Sequence, residues 1–139
     1  MLDIASFALA ATGGVEVVTR TAFAVRRLIE EWKDAPAQVL SLSNEIQQSQ
    51  EIAKKLRDFS SSLEARPENE IYVTAITNLI RRAEPEWAEL QKILASLTGR
   101  TGQTRKQKWM RVANKVTSLQ ERLRSLRIAT LEVLSIHTA

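Results

Sequence analysis

Apolar and small residues open the chain at Ile4, Phe7, Ala11, Val15, Val18, Ala22, Val25, Ile29 and Trp32, in steps of three and four throughout. This is the period of one helix face. Gly13-Gly14 interrupts the run at a cost of about 1 kcal/mol per glycine against alanine. The apolar phase is the same on both sides of the pair, so the spacing predicts one helix with a weak point, or two nearly collinear pieces, over residues 3–33.

Asp34-Ala35-Pro36 is expected to end that helix and start the next, with Asp34 as N-cap and Pro36 tolerated in a first turn that lacks amide partners. Val39, Leu42, Ile46, Ser49, Ile52, Leu56, Phe59 and Leu63 continue at the same spacing and predict a second helix over 36–65. Arg66-Pro67-Glu68-Asn69 reads as a turn. Ile76, Leu79, Ala83, Trp87, Leu90, Leu94 and Leu97 mark a third helix over 68–98. Pro85 lies inside it, where a straight helix would lose about 3 kcal/mol, and since the apolar phase survives the proline, the helix is expected to be kinked there. After a loop at Gly99-Arg100-Thr101-Gly102-Gln103, the residues Trp109, Val112, Val116, Leu119, Leu123, Leu126, Ala129 and Val133 predict a last helix over 103–137. No segment alternates with period two over a useful length. The expected fold is therefore all-α, a single domain over 1–139 forming an antiparallel up-down bundle of four long helices.

Composition narrows the chemistry. Cysteine is absent and His137 is the single histidine, so thiolate chemistry, Ser-His-Asp triads and multi-histidine metal sites have no residues to use. Gly99-Arg100-Thr101-Gly102 lacks the phosphate-loop spacing. The carboxylates Glu68 and Glu70, and Glu84 and Glu86, are expected to be solvated at turns, without the perturbation that acid–base work needs. Trp32, Trp87 and Trp109 fall on apolar faces and read as core. Neither an enzyme, a cofactor nor a metal is expected.

Charge changes the picture more. The net charge is +4, but residues 99–139 hold nine basic and two acidic side chains, an excess of +7 that exceeds the whole. Lys108, Arg111, Lys115 and Arg122 form a stripe along one flank of the last helix, with Arg124 and Arg127 on the other. Three readings stay open for this face: simple solvation or pairing with the acidic second and third helices, contact with anionic lipid at about 1 kcal/mol per basic residue, and nucleic-acid binding. The last has little support, because Trp109 is the region's one aromatic and lies on the apolar face.

The first helix holds twelve uncharged residues between Asp3 and Glu16, short of the about 20 that a span needs. Asp3 stands where a secretory leader would carry positive charge, although Ala8-Leu9-Ala10 has a cleavage-like form. Ser6, Ala10 and Gly14 recur every fourth residue, a pattern that permits close helix approach. The helix is expected either to pack in the bundle or to act as a detachable amphipath.

The start M-L-D-I-A-S-F-A-L-A-A-T-G-G, the stretch Val25 to Trp32, the turn Lys33-Asp34-Ala35-Pro36, the run Leu40-Ser41-Leu42-Ser43-Asn44-Glu45-Ile46, and a last helix with Trp109 after a basic loop and leucines at 119, 123, 126 and 131 together resemble the HeLo and HeLo-like N-terminal domains of fungal STAND/NLR-type receptors. The resemblance implies a helical bundle similar to that of the mixed-lineage kinase-like pseudokinase. It also implies a non-enzymatic effector of programmed cell death, heterokaryon incompatibility or innate immunity, cytoplasmic at rest, that self-associates and is recruited to the plasma membrane. Carried onto this chain, only the first helix is the membrane-active element, using Ile4, Phe7, Leu9, Gly13, Gly14, Val15 and Val18; the basic stripe of the last helix, Lys108, Arg111, Lys115 and Arg122, would make the anionic-lipid contact. These residues carry no nucleotide-binding or amyloid motif, so the chain is either an excised domain or a short relative. The other reading is an adaptor that docks on another helical domain without membrane activity.

Overall fold

The computed structural model describes residues 4–63, 66–99 and 102–138, and the side chains of all of these except 4, 102–104, 137 and 138. Four α-helices, α1 (Ile4–Glu31), α2 (Ala37–Ser62), α3 (Glu70–Leu97) and α4 (Gly102–Thr138), pack into an all-α bundle, with a 3-10 turn at Pro67–Asn69 before α3. At 1.5 Å per residue α1 and α3 are about 42 Å long and α4 about 55 Å.

One local expectation changes, and two are met by unbroken helices. Asp34 does not cap α2: Pro36 occupies the N-cap position and no side chain bonds the first amides. Asp34 lies two residues earlier, and an N-cap oxygen reaches those amides only from the cap itself. α1 runs through Gly13-Gly14 as one helix, which decides between the two forms expected for that segment. α3 continues across Pro85; the proline is exposed, so the carbonyl of Arg81 that it leaves without an amide partner is on the solvent side, the cheapest place to lose one.

Contacts between elements give the direction and order of the helices. Phe7 meets Phe59 edge-on at 6.0 Å between ring centroids, so α1 and α2 are antiparallel. Gln91 donates to the Val17 carbonyl and the Thr21 hydroxyl, both at 3.1 Å, while Gly99 donates to Glu31, so α1 and α3 run parallel. Gln38 reaching Ala113 and Arg127 reaching Ser49 make α2 and α4 parallel. Successive helices thus alternate in direction, as an up-down bundle requires, but the order around the bundle is α1, α2, α4, α3. α2 and α3 sit on a diagonal. Helices packed about 10 Å apart have a diagonal of about 14 Å, and the seven residues from 63 to 69 can span roughly 20 Å.

The main core gathers Val18, Val25 and Leu28 of α1, Val39, Leu42 and Ile46 of α2, Trp87, Leu90 and Leu94 of α3, and Trp109, Val116 and Leu119 of α4. A second, smaller cluster of Phe7, Leu56, Val73 and Ile76 closes the other end, with Phe59 and Val133 against it.

Parallel α1 and α3 bring two helix C-termini, each carrying partial negative charge, to one corner. Arg105 fills that corner at 4% exposure. Its Nε donates to the carbonyl of Leu97 at 2.9 Å, its Nη1 donates to the carbonyl of Glu31 at 3.2 Å, and the guanidinium lies 3.5 Å from the Glu31 carboxylate and 6.0 Å from the Trp32 ring. Gly99, at φ +75°, adopts the left-handed conformation that ends α3 and turns its amide onto Glu31 at 2.8 Å. Trp32 and Trp109 stack edge-on beneath, 6.3 Å apart.

Replacing Arg105 by Met keeps the packing volume and removes the donor to the Leu97 and Glu31 carbonyls, the first of them buried. Chemical denaturation is expected to show a loss of about 1–3 kcal/mol; a loss under roughly 0.5 kcal/mol would mean that water or a neighbour replaces the arginine.

Candidate functional site

The two elements singled out by sequence are placed very differently from one another. In α1, Phe7 is fully buried, Val18 and Ala11 are buried, and Val15 is half-buried against the main core. The first helix is therefore packed. Leu9 is the exception at 74% exposure, and the side chain of Ile4 lies outside the described residues. Gly13 and Gly14 have ordinary helical φ. A Cβ at Gly13 would meet nothing within 4 Å, and one at Gly14 would meet only Ile80 Cγ2 at 3.9 Å. Neither packing nor backbone geometry calls for glycine at these two positions, so their roughly 1 kcal/mol each of lost helix stability goes uncompensated. They also fall between the two clusters, with Phe7 on one side in the small core and Val18 on the other in the large one.

Half of the basic flank of α4 is paired with α3 at the surface of the bundle. Lys115 pairs with Glu89 of α3, and Arg122 pairs with Glu86 of α3 at 2.8 Å. On the opposite flank Arg124 pairs with Glu45 of α2, while Arg127 donates to the Glu45 carbonyl at 3.2 Å and the Ser49 hydroxyl at 3.4 Å. Lys115 and Arg122, expected as lipid contacts, are thus engaged by the acidic helices that flank α4. The expectation that Glu86 is solvated is overturned with them: it stands on α3 facing α4, half-buried, with a guanidinium partner. Lys106, Lys108, Arg111 and Arg127 are the α4 cations with no ion pair among the described residues, and of these Arg127 is held by neutral acceptors. Lys108 is half-buried and Arg111 exposed, one turn apart.

Two carboxylates are shifted by this arrangement. The Gly99 amide foremost, then Arg27 and Arg105, hold the Glu31 carboxyl below its ordinary range against partial desolvation. The Lys115 hydrogen bond, with the charges of Lys115 and Lys92, does the same for Glu89. Among the described residues no group of histidines and carboxylates is placed to hold a metal ion. No helix there is long and apolar enough to cross a membrane.

Arg105 belongs to neither flank of the basic helix read from its charge pattern. Its signal was a phase: 105, 109, 112, 116, 119 and 123 form an unbroken run of three- and four-residue steps, so this arginine occupies an apolar-face position. Phe23, 63% exposed with Arg26 5.6 Å from its ring, was also missed. It stands off the apolar phase and shares a side of α1 with Leu9. Compared with protein-family models, curated proteins and solved structures, the chain matches none of them.

Because the Glu31 and Glu89 pKa values are depressed on folding, the stability they add is present above the ordinary glutamate range and is lost as pH falls through their folded values. Denaturation midpoints measured from pH 6 to pH 2.5 are expected to fall below about pH 4.3, and the double variant Glu31→Gln/Glu89→Gln should flatten that limb. An unchanged slope in the variant would assign acid sensitivity to other carboxylates.

Proposed function

We propose that this chain is a non-enzymatic membrane-targeting effector or signalling domain of the HeLo-like kind, resting in the cytoplasm with α1 packed, and that activation frees the first turns of α1 to meet an anionic plasma membrane and to self-associate. The observation that carries the reading is the pair Gly13-Gly14. Two adjacent glycines sit mid-helix, with room for side chains at both, between a segment anchored mainly by Phe7 and a segment rooted in the main core. A helix that only had to stay packed would gain from alanine at both places; a helix that must part there gains from glycine. Lys108 and Arg111, without ion pairs among the described residues, supply the lipid contact in the resting form. Lys115 and Arg122 join them when the bundle opens and releases their α3 partners.

A second reading is favoured by Leu9 and Phe23, two large apolar side chains exposed on one side of α1. They suit an adaptor face for a partner helix, with no lipid binding and a concentration-dependent complex.

Co-sedimentation with anionic vesicles separates the two. The intact chain is expected to bind, Lys108→Glu/Arg111→Glu to bind at least tenfold more weakly at about 1 kcal/mol or more per residue, and Gly13→Ala/Gly14→Ala to be more stable by about 2 kcal/mol and to bind roughly thirtyfold less. Equal binding by all three would end the membrane reading, and loss of self-association in Leu9→Ser/Phe23→Ser without any vesicle binding would favour the adaptor.

A further inference from the structure

Between the four helices, at the level where the two core clusters meet, lies a partly open cavity of about 80 Å³ whose lining is overwhelmingly apolar. It exists because small residues face it from three helices, Gly14 of α1, Ala53 of α2 and Ala83 of α3, leaving Val18, Trp87 and Leu123 without neighbours across the gap. An engineered apolar cavity of about 150 Å³ stays dry and takes benzene; this one is about half that size and partly open, room for roughly three or four methylenes of a hydrocarbon chain whose remainder leaves through the opening.

A second observation bears on what the chain carries at its end. Arg127 lines the same cavity, half-buried, and its two partners, the Glu45 carbonyl and the Ser49 hydroxyl, are both neutral. Lys115, Arg122 and Arg124 each have a carboxylate; among the described residues Arg127 has none. A partly desolvated cation without a counter-ion is costly, and a guanidinium has five donors, of which neutral acceptors occupy only part. Glu84, on the α3 rim, is exposed and disfavours an anion on that side, which leaves the α2/α4 side for the head.

We propose that this cavity is a binding site for a single-chain anionic amphiphile, a fatty-acid-like carboxylate whose tail fills the gap and whose head pairs with Arg127. The site is separate from the membrane-targeting reading, and Lys108 and Arg111 take no part in it.

The test is calorimetric titration of the intact chain with dodecanoate below its micelle concentration, with methyl NMR to locate the ligand. Saturable one-to-one binding is expected, with shifts at the Val18 and Leu123 methyls. Dodecanol should bind at least tenfold more weakly, and Arg127→Gln should lose that preference. Ala53→Leu, which fills the gap, should abolish binding while melting no lower than the parent; if it fails to fold, Ala83→Leu fills the same gap from α3. Lys108→Glu/Arg111→Glu should bind dodecanoate as the parent does, even if vesicle binding is lost. Phosphatidylcholine vesicles free of fatty acid should leave the methyl shifts unchanged. The proposal is overturned by the absence of saturable binding, by equal affinity for dodecanoate and dodecanol, by binding that survives in the folded cavity-filling variants, or by methyl shifts that vesicles alone produce.

Discussion

Two parallel helices side by side concentrate their negative ends at one corner, and the bundle is organised around the cation that neutralises that corner. Arg105 donates to the last residue of α1 and the last residue of α3 from a position 4% exposed. Its planar fork matters, because a lysine could not meet two carbonyls and a carboxylate in one geometry. Everything near it is arranged to bring it there. Gly99 ends α3 in the left-handed conformation, and the arginine sits in the first turn of α4, one turn before Trp109, whose ring holds the end of α1 through Trp32.

The same logic explains where the positive charge of the chain goes. α4 is flanked by α2 and α3, which supply Glu45, Glu86 and Glu89, so part of what looks like an electrostatic display in sequence is counter-charge for the neighbouring helices. Exposed ion pairs of this type are each worth only about 0–1 kcal/mol. Their larger effect is on alignment: pairs on both flanks, with Gln38, Gln120 and Arg127 between them, fix the rotation of α4 and so fix which of its faces is buried.

Helix positions were legible because burial imposes a three/four rhythm that each segment keeps, through Gly13-Gly14 and through Pro85 alike. Neighbour relations were not, since an amphipathic face says only that it points inward. The diagonal placement of α2 and α3 depends on a linker long enough to cross the end of the bundle, and the few residues between α1 and α2 and between α3 and α4 make the other two connections hairpins. The basic flank was legible as a flank, but the stripe at 108, 111, 115 and 122 divides in the structure between residues facing α3 carboxylates and residues above the end of that pairing. Helical phase assigns an angle to a side chain. It assigns no partner.

The two ends of the bundle are consequently unequal. At one end an arginine, a carboxylate, a glycine amide and two tryptophans tie three helices together. At the other, the first turns of α1 depend on Phe7 in a small cluster, above which small side chains on α1, α2 and α3 leave a void. A void and two glycines at the same level of the bundle both lower the free energy of local opening relative to global unfolding, and simple substitutions at the cavity-lining alanines or at the glycines have space available to correct each of them. Sequences free to drift toward stability find such substitutions easily. This bundle keeps both defects adjacent, at the end opposite its strongest cap, so the N-terminal half of α1 packs without a tie comparable to Arg105.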